Sequence, residues 1–179
     1  MKDTIRTFIA FELPESIVQL AADLQTRLRS HGLKLRWVQP KNIHLTVKFL
    51  GDVEEGRIAD TVEAMQTSAR NSVPMTVAAQ GLGVFPGIHK PRVMWFGLGG
   101  QIDRLAELHR LLEDGLGKKG FAREKRPFRP HLTLARIKRA LELRALQESI
   151  QEVGAYPPVE FQLAELTLFK SDLKQQGAL

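Results

Sequence analysis

The chain contains no cysteine. That absence removes disulfides, thiolate nucleophiles and cysteine-ligated zinc or iron–sulfur centres together, and it makes an intracellular, cytoplasmic setting the expected one. No long apolar run opens the chain: MKDTIRTFIAFELPES carries acids at Asp3 and Glu12, so neither a signal peptide nor a membrane span is expected. A Gly-x-Ser-x-Gly elbow is missing, which argues against a serine hydrolase. The glycines of GLGVFPG (81–87) have no lysine placed as in a nucleotide-cradling loop.

What is present is enough for a core. The 179 residues are 43% hydrophobic, which suits one compact unit or two small lobes. A net charge of +6 and a pI near 9.8 suit a polyanionic partner. In KKGFAREKRPFR (118–129) the bases Lys118, Lys119, Arg123, Lys125, Arg126 and Arg129 face one acid, Glu124. This run is either a polyanion contact or a solvated basic loop.

Helical spacing appears after Pro14, where Ile17, Leu20, Leu24 and Leu28 form a stripe that Gly32 ends. Further helices are predicted over 54–70, 101–116 and 141–153. Strands are predicted at RTFIAFEL (6–13) and over 33–38, 43–50, 75–82, 92–98, 120–123, 131–136 and 159–169.

NIHLTVKFLG (42–51) and PHLTLARIK (130–138) share a His-Leu-Thr core, with His131 87 positions after His44. Shifting the first half by that interval superposes strand on strand and helix on helix, so the chain reads as an internal duplication over approximately 4–87 and 91–174. The expectation is a single bilobal α+β domain over 1–179. It would have two mostly antiparallel sheets with outer helices flanking a central cleft, and the histidines would stand on opposite walls.

Strand alternation puts His44, Thr46 and Lys48 on one face and Leu45, Val47 and Phe49 on the other, which makes Phe49 a core residue. His131 and Thr133 share a face, with Leu132 and Leu134 behind. Arg136 is five positions from His131, so strict alternation turns it away from the cleft, unless a bulge or the strand's end redirects it.

Two histidines across a cleft can hold opposite protonation states and serve one reaction as general base and general acid. Threonine hydroxyls on the same faces can donate to the oxygens of a group held between them, and nearby bases can offset its charge. A phosphate attacked on one side while an alkoxide leaves on the other fits this arrangement. A metal site fits poorly, because neither motif has a second histidine or a carboxylate on its face. The remaining histidines have structural explanations: His31 at a helix end, His89 in a loop, and His109 beside an apolar stripe.

HLTVKFLG and HLTLAR resemble the paired His-x-Thr-x signatures of the two-histidine phosphoesterases, specifically the RNA 2′,3′-cyclic phosphodiesterase group, also called the 2′-5′ RNA ligase family. RTFIAFELP, LRWVQPKNIHLT, GLGVFPGIHKPRVMWFGL and RPFRPHLTLAR resemble that family in the same order, so the likeness spans almost the whole chain. It implies a metal-independent, cofactor-free reaction on RNA with a 2′,3′-cyclic phosphate end, leaving a 2′-phosphate. His44 would donate a proton to the leaving 3′ oxygen, His131 would accept one from water, and Thr46 and Thr133 would hold the phosphate oxygens. Arg136 matches the arginine that closes the family's second motif. Arg129, Lys48, Phe49 and Phe128 join it as candidate substrate contacts, and Trp37 or Phe128 could stack on a base.

Joining a cyclic end to a 5′-hydroxyl as a 2′-5′ linkage, without ATP, is the implied secondary activity. A monomer with no obligate protein partner is expected. The alternative is a noncatalytic module that binds RNA ends. The resemblance implies a further aromatic residue and short final strand after SDLKQQGAL, so either the sequence is truncated there or this member lacks that element, and one sheet edge is expected to be less covered.

Overall fold

The computed structural model describes residues 3–171 and the backbone of 173–174 and 177–178. Four helices are described: α1 (Glu15–Ser30), α2 (Ile58–Ala69), α3 (Ile102–Lys118) and α4 (Leu143–Val153). The strands run β1 (Thr4–Phe11), β2 (Arg36–Trp37), β3 (Leu45–Glu54), β4 (Met75–Phe85), β5 (Val93–Gly100), β6 (His131–Arg136), β7 (Val159–Leu163) and β8 (Leu166–Lys170). Two short strands, β9 (Leu173–Lys174) and β10 (Gly177–Ala178), pair with each other.

The fold is α+β with two main antiparallel sheets, ordered β3-β1-β8 and β2-β6-β5-β4-β7. Each sheet draws on both halves of the sequence. The middle strand β1 takes the late strand β8 at its edge, and β4 lies between β5 and β7. This interleaving ties the two sheets through one hydrophobic core.

The helices form where the apolar stripe and its stops predict them. In α1 the residues Ile17, Ala21, Leu24 and Leu28 are buried, Pro14 precedes the first turn, and Gly32 follows the end with φ 75°. In α4 the Glu142 carboxylate caps the first turn by accepting from the Arg144 and Ala145 backbone N–H groups. Phe11, Phe96, Ile9, Ile17 and Leu24 are almost wholly removed from water, each contributing about 1.5–3 kcal/mol by burial.

Three predicted strands differ from the structure. The run over 159–169 divides into β7 and β8, which join different sheets. The run over 33–38 contributes only Arg36–Trp37 to a sheet, and 120–123 is not a strand, because 121–130 is irregular chain. The 121–130 segment spends its backbone groups on side chains instead. Ala122 O accepts from Lys48 Nζ at 2.9 Å, and Glu124 N–H donates to Glu113 Oε2 at 3.0 Å. The expected bare sheet edge at the C-terminal end lies outside the described residues.

Candidate active site

The two His-Leu-Thr segments occupy β3 and β6, in different sheets, and these strands approach within 8 Å at their Cα atoms. Each strand carries the same irregularity. Opposite β1, the register passes from Ile9↔Lys48 to Ala10↔Thr46, so Val47 is an extra residue. Opposite β5, it passes from Met94↔Ala135 to Trp95↔Thr133, so Leu134 is extra, 87 positions after Val47.

A bulge places two consecutive side chains on the buried face and inverts the alternation that follows. Val47 with Lys48, and Leu134 with Ala135, are accordingly all buried. The fifth residue after each histidine then returns to the histidine's own face.

Three readings change as a result. Phe49, expected in the core, is 62% exposed on the cleft face. Arg136, which strict alternation would turn away, is exposed on the face of His131 and Thr133. Lys48, expected in the cleft as a substrate contact, is 5% exposed and points the other way, where it forms a salt bridge with Glu113 of α3.

The imidazoles are held alike. His131 Nδ1 lies 2.7 Å from Arg129 O. A carbonyl can only accept, so Nδ1 carries the hydrogen and Nε2 remains for chemistry. His44 makes the corresponding bond with the carbonyl two residues upstream, that of Asn42. Burial pushes both imidazoles below their ordinary value, and the carbonyl bond, which favours the protonated ring, offsets this in part.

The rings rest on aromatic beds. Phe8 stacks on His44 with centroids 4.7 Å apart, and Phe169 stacks on Phe8 at 5.1 Å. Phe49 lies 5.8 Å from Phe8, tilted by 41°. His131 meets Phe85 edge-on at 4.9 Å, and Phe85 packs against Trp95. Trp95 crosses Gly83 so closely that a Cβ there would sit 2.3 Å from its ring. This contact explains why the strand can carry no side chain at position 83.

Thr46 and Thr133 are half-buried beside their histidines. Among the described residues neither hydroxyl has a protein partner, so both can donate to a bound oxygen. The basic run divides: Lys119 pairs with Asp60 and Glu63, and Arg123 with Asp114. Lys125, Arg126 and Arg129 are exposed, and among the described residues no carboxylate is paired to their side chains. Phe128, a candidate base contact, spends one ring face on His109 at 4.2 Å. Trp37 lies under Arg29 of α1 on the far side of its sheet, away from the cleft.

Several residues of this site were missed in the sequence. Gln25 is buried in α1, and its amide donates to Val38 O and Leu134 O, adding a second donor beside the Val38 N–H at the carbonyl of the bulged residue in β6. Its signal was a polar residue inside an apolar stripe. Glu113 and His109 seat the basic loop, and Phe8, Phe169 and Phe85 support the imidazoles. The depressions at Asn71, Ser72 and Arg104 and at Arg6, Asp52 and Lys170 contain none of the paired-motif histidines or threonines. Among the described residues no group of three or more His, Asp or Glu is gathered as a metal site, and no helix is long and apolar enough to cross a membrane.

Known proteins share this architecture along its whole length. RNA 2′,3′-cyclic phosphodiesterases of Aquifex aeolicus and Methanothermobacter thermautotrophicus are 30% and 31% identical to the chain. The alignments cover 98% of it and 93% and 94% of those proteins. A crystal structure of a Thermus thermophilus protein superposes with a TM-score of 0.79 at 27% identity, covering 98% of this chain and 93% of that one. The fold is also that of Escherichia coli LigT, with a TM-score of 0.73 at 23% identity over 99% of this chain and 94% of LigT. The model of the 2′-5′ RNA ligase superfamily matches residues 13–175, a span that holds both bulged His-x-Thr strands. The chain belongs to that superfamily.

Proposed function

We propose that the chain hydrolyses 2′,3′-cyclic phosphate ends of RNA to 2′-phosphates by paired-histidine general acid–base catalysis. The observation that carries this reading is the duplicated bulge. It aims His44, Thr46 and Phe49 from one sheet and His131, Thr133 and Arg136 from the other along two neighbouring strands. The named relatives support the substrate class.

In the reaction, water attacks phosphorus and gives its proton to Nε2 of His131. The P–O3′ bond breaks, and His44 gives its proton to O3′. Each transfer accounts for roughly 10²–10⁴ in rate. The threonine hydroxyls and Arg136 hold the non-bridging oxygens and offset the charge that develops on them.

Depressed imidazole pKa values leave both rings mostly neutral at pH 7, yet the donor needs a proton. The phosphate supplies the correction, since an anion beside an imidazole favours its protonated form. Phe49, exposed beside Phe8, offers a stacking face for the terminal base. An RNA 5′-hydroxyl in the place of water would give the 2′-5′ linkage by the same proton transfers. The protein works as one bilobal unit over 1–179, as a cytoplasmic monomer, without metal or nucleoside triphosphate.

The test is a short RNA with a 2′,3′-cyclic end incubated with the protein in EDTA, with the product identified. A 2′-phosphate product is expected. RNA that is bound but unchanged would favour a noncatalytic end-binding module, and a 3′-phosphate product would reverse the assigned leaving group.

A further inference from the structure

Arg36 and Arg136 are register partners on the antiparallel strands β2 and β6. Partners in such a ladder point to the same face with Cβ atoms about 4.5–5.5 Å apart, where like charges repel. The neighbouring pair fixes which face this is. Trp37, next along β2, lies opposite Ala135 and is covered by the Arg29 guanidinium of α1 at 5.1 Å. Arg36 therefore faces the cleft, beside Arg136 and in line with Thr133 and His131.

Arg36 is half-buried and Arg136 exposed, and among the described residues neither guanidinium has a carboxylate partner. Two side-by-side, unneutralised guanidiniums on a strand pair are a seat for an anion that takes several charge-assisted hydrogen bonds at once.

The position of the pair decides which anion. Because Leu134 is bulged, Arg136 is two register steps beyond Thr133, about 7 Å along a strand at roughly 3.3 Å per step. Its long side chain can bridge back toward the cyclic phosphate. Arg36 is one strand further out, and β2 forms the edge of the five-stranded sheet. An RNA whose last phosphate sits between the histidines has to leave the cleft over such an edge.

Resting on the phosphodiesterase reading above, we infer that Arg36 binds the phosphodiester immediately upstream of the cyclic end, while Arg136 beside it reaches back to the cyclic phosphate. Arg36 is thereby the residue that makes an oligonucleotide a better substrate than a mononucleoside 2′,3′-cyclic phosphate.

The experiment compares kcat/KM on a trinucleotide ending in a 2′,3′-cyclic phosphate with kcat/KM on the mononucleoside cyclic phosphate. In Arg36→Gln the ratio of the two falls about tenfold, chiefly through KM on the trinucleotide. Arg36→Lys recovers part of the loss, since it keeps the charge and loses the planar fork. A trinucleotide with a neutral methylphosphonate at the upstream linkage costs the wild type a similar factor, and it costs Arg36→Gln little more, as expected when both changes remove one interaction. Arg144→Gln, at a surface ion pair of α4, leaves the ratio unchanged.

The inference is overturned if Arg36→Gln lowers both substrates equally, or if the wild type is indifferent to the methylphosphonate. The second arm needs no variant to fold. A wild type that turns over neither substrate would instead remove the phosphodiesterase reading itself.

Discussion

The strands β3 and β6 solve one backbone problem with different side chains. Both bulge after the threonine, at Val47 and Leu134, and both fix the imidazole through the carbonyl two residues upstream. They differ at the next two positions. In β3 these are Lys48, buried against Glu113, and Phe49, exposed beside Phe8. In β6 they are Ala135, packed in the core under the Gln25 contact to Leu134, and the exposed Arg136. Backbone geometry thus sets histidine and threonine identically on both walls. The fifth position divides the labour: an aromatic face on one wall suits a base, and a guanidinium on the other suits a phosphate.

The largest expected way to break this comparison lies behind β3. Glu113→Ala strands a buried Lys48 without its counter-charge, and removing one partner of such a pair costs about 3–5 kcal/mol. A denaturant melt should show this loss. The double change Lys48→Met with Glu113→Leu should recover only part of it, because an apolar pair avoids the desolvation cost while Ala122 O and the Glu124 N–H still lose their partners.

Behind β6 the corresponding support is Gln25. Gln25→Leu takes the side-chain donor from Val38 O and one of the two donors from Leu134 O, which keeps the Val38 backbone N–H, at about 1–3 kcal/mol. It should also raise KM more than Glu113→Ala does at a temperature where both variants are folded, since the Leu134 bulge orients Arg136.

At the cleft, Phe49→Ala removes a stacking face worth about 1–3 kcal/mol per base. It should raise KM for RNA with little effect on melting temperature, and Phe49→Tyr should retain most of the affinity.

The smallest effect is on pH dependence. The folded values of His44, His131 and His109 lie below the ordinary imidazole value, mainly through burial. Below about pH 6.5 the unfolded chain therefore binds more protons than the folded one. Stability contributed by these groups is present above that pH and is lost as pH falls toward the depressed folded values. Melts taken from pH 7.5 to 5 should slope in that direction, and His44→Gln/His131→Gln should slope less. The same depression predicts a bell-shaped kcat/KM with its optimum on the acid side of the ordinary imidazole value. The kcat optimum should lie higher, because bound phosphate favours the imidazolium.

The sequence carried the helices and the two histidine–threonine pairs plainly, because periodicity of 3.6 and a repeated motif are local signals. The bulges were not local. Nothing in Val47 or Leu134 marks an extra residue, since pairing partners on β1 and β5 decide it, so Phe49 and Lys48 were assigned to each other's faces. The +5 spacing from histidine to Arg136 was the one visible trace. Gly51, at φ 72° where β3 shifts register again, accounts for the glycine that closes HLTVKFLG. The 120–123 segment is irregular rather than a strand because its anchors, Lys48 and Glu113, are distant in the sequence, and Lys48 was expected in the cleft.

The most direct test of two histidines acting as one unit is single-turnover cleavage of a cyclic-ended RNA by wild type, His44→Ala, His131→Ala and the double variant, alongside RNA affinity. The account predicts that each single change lowers the rate by at least about 10²-fold while affinity stays within a few-fold, and that the double change costs far less than the product of the two. A single variant that cleaves at the wild-type rate would contradict it.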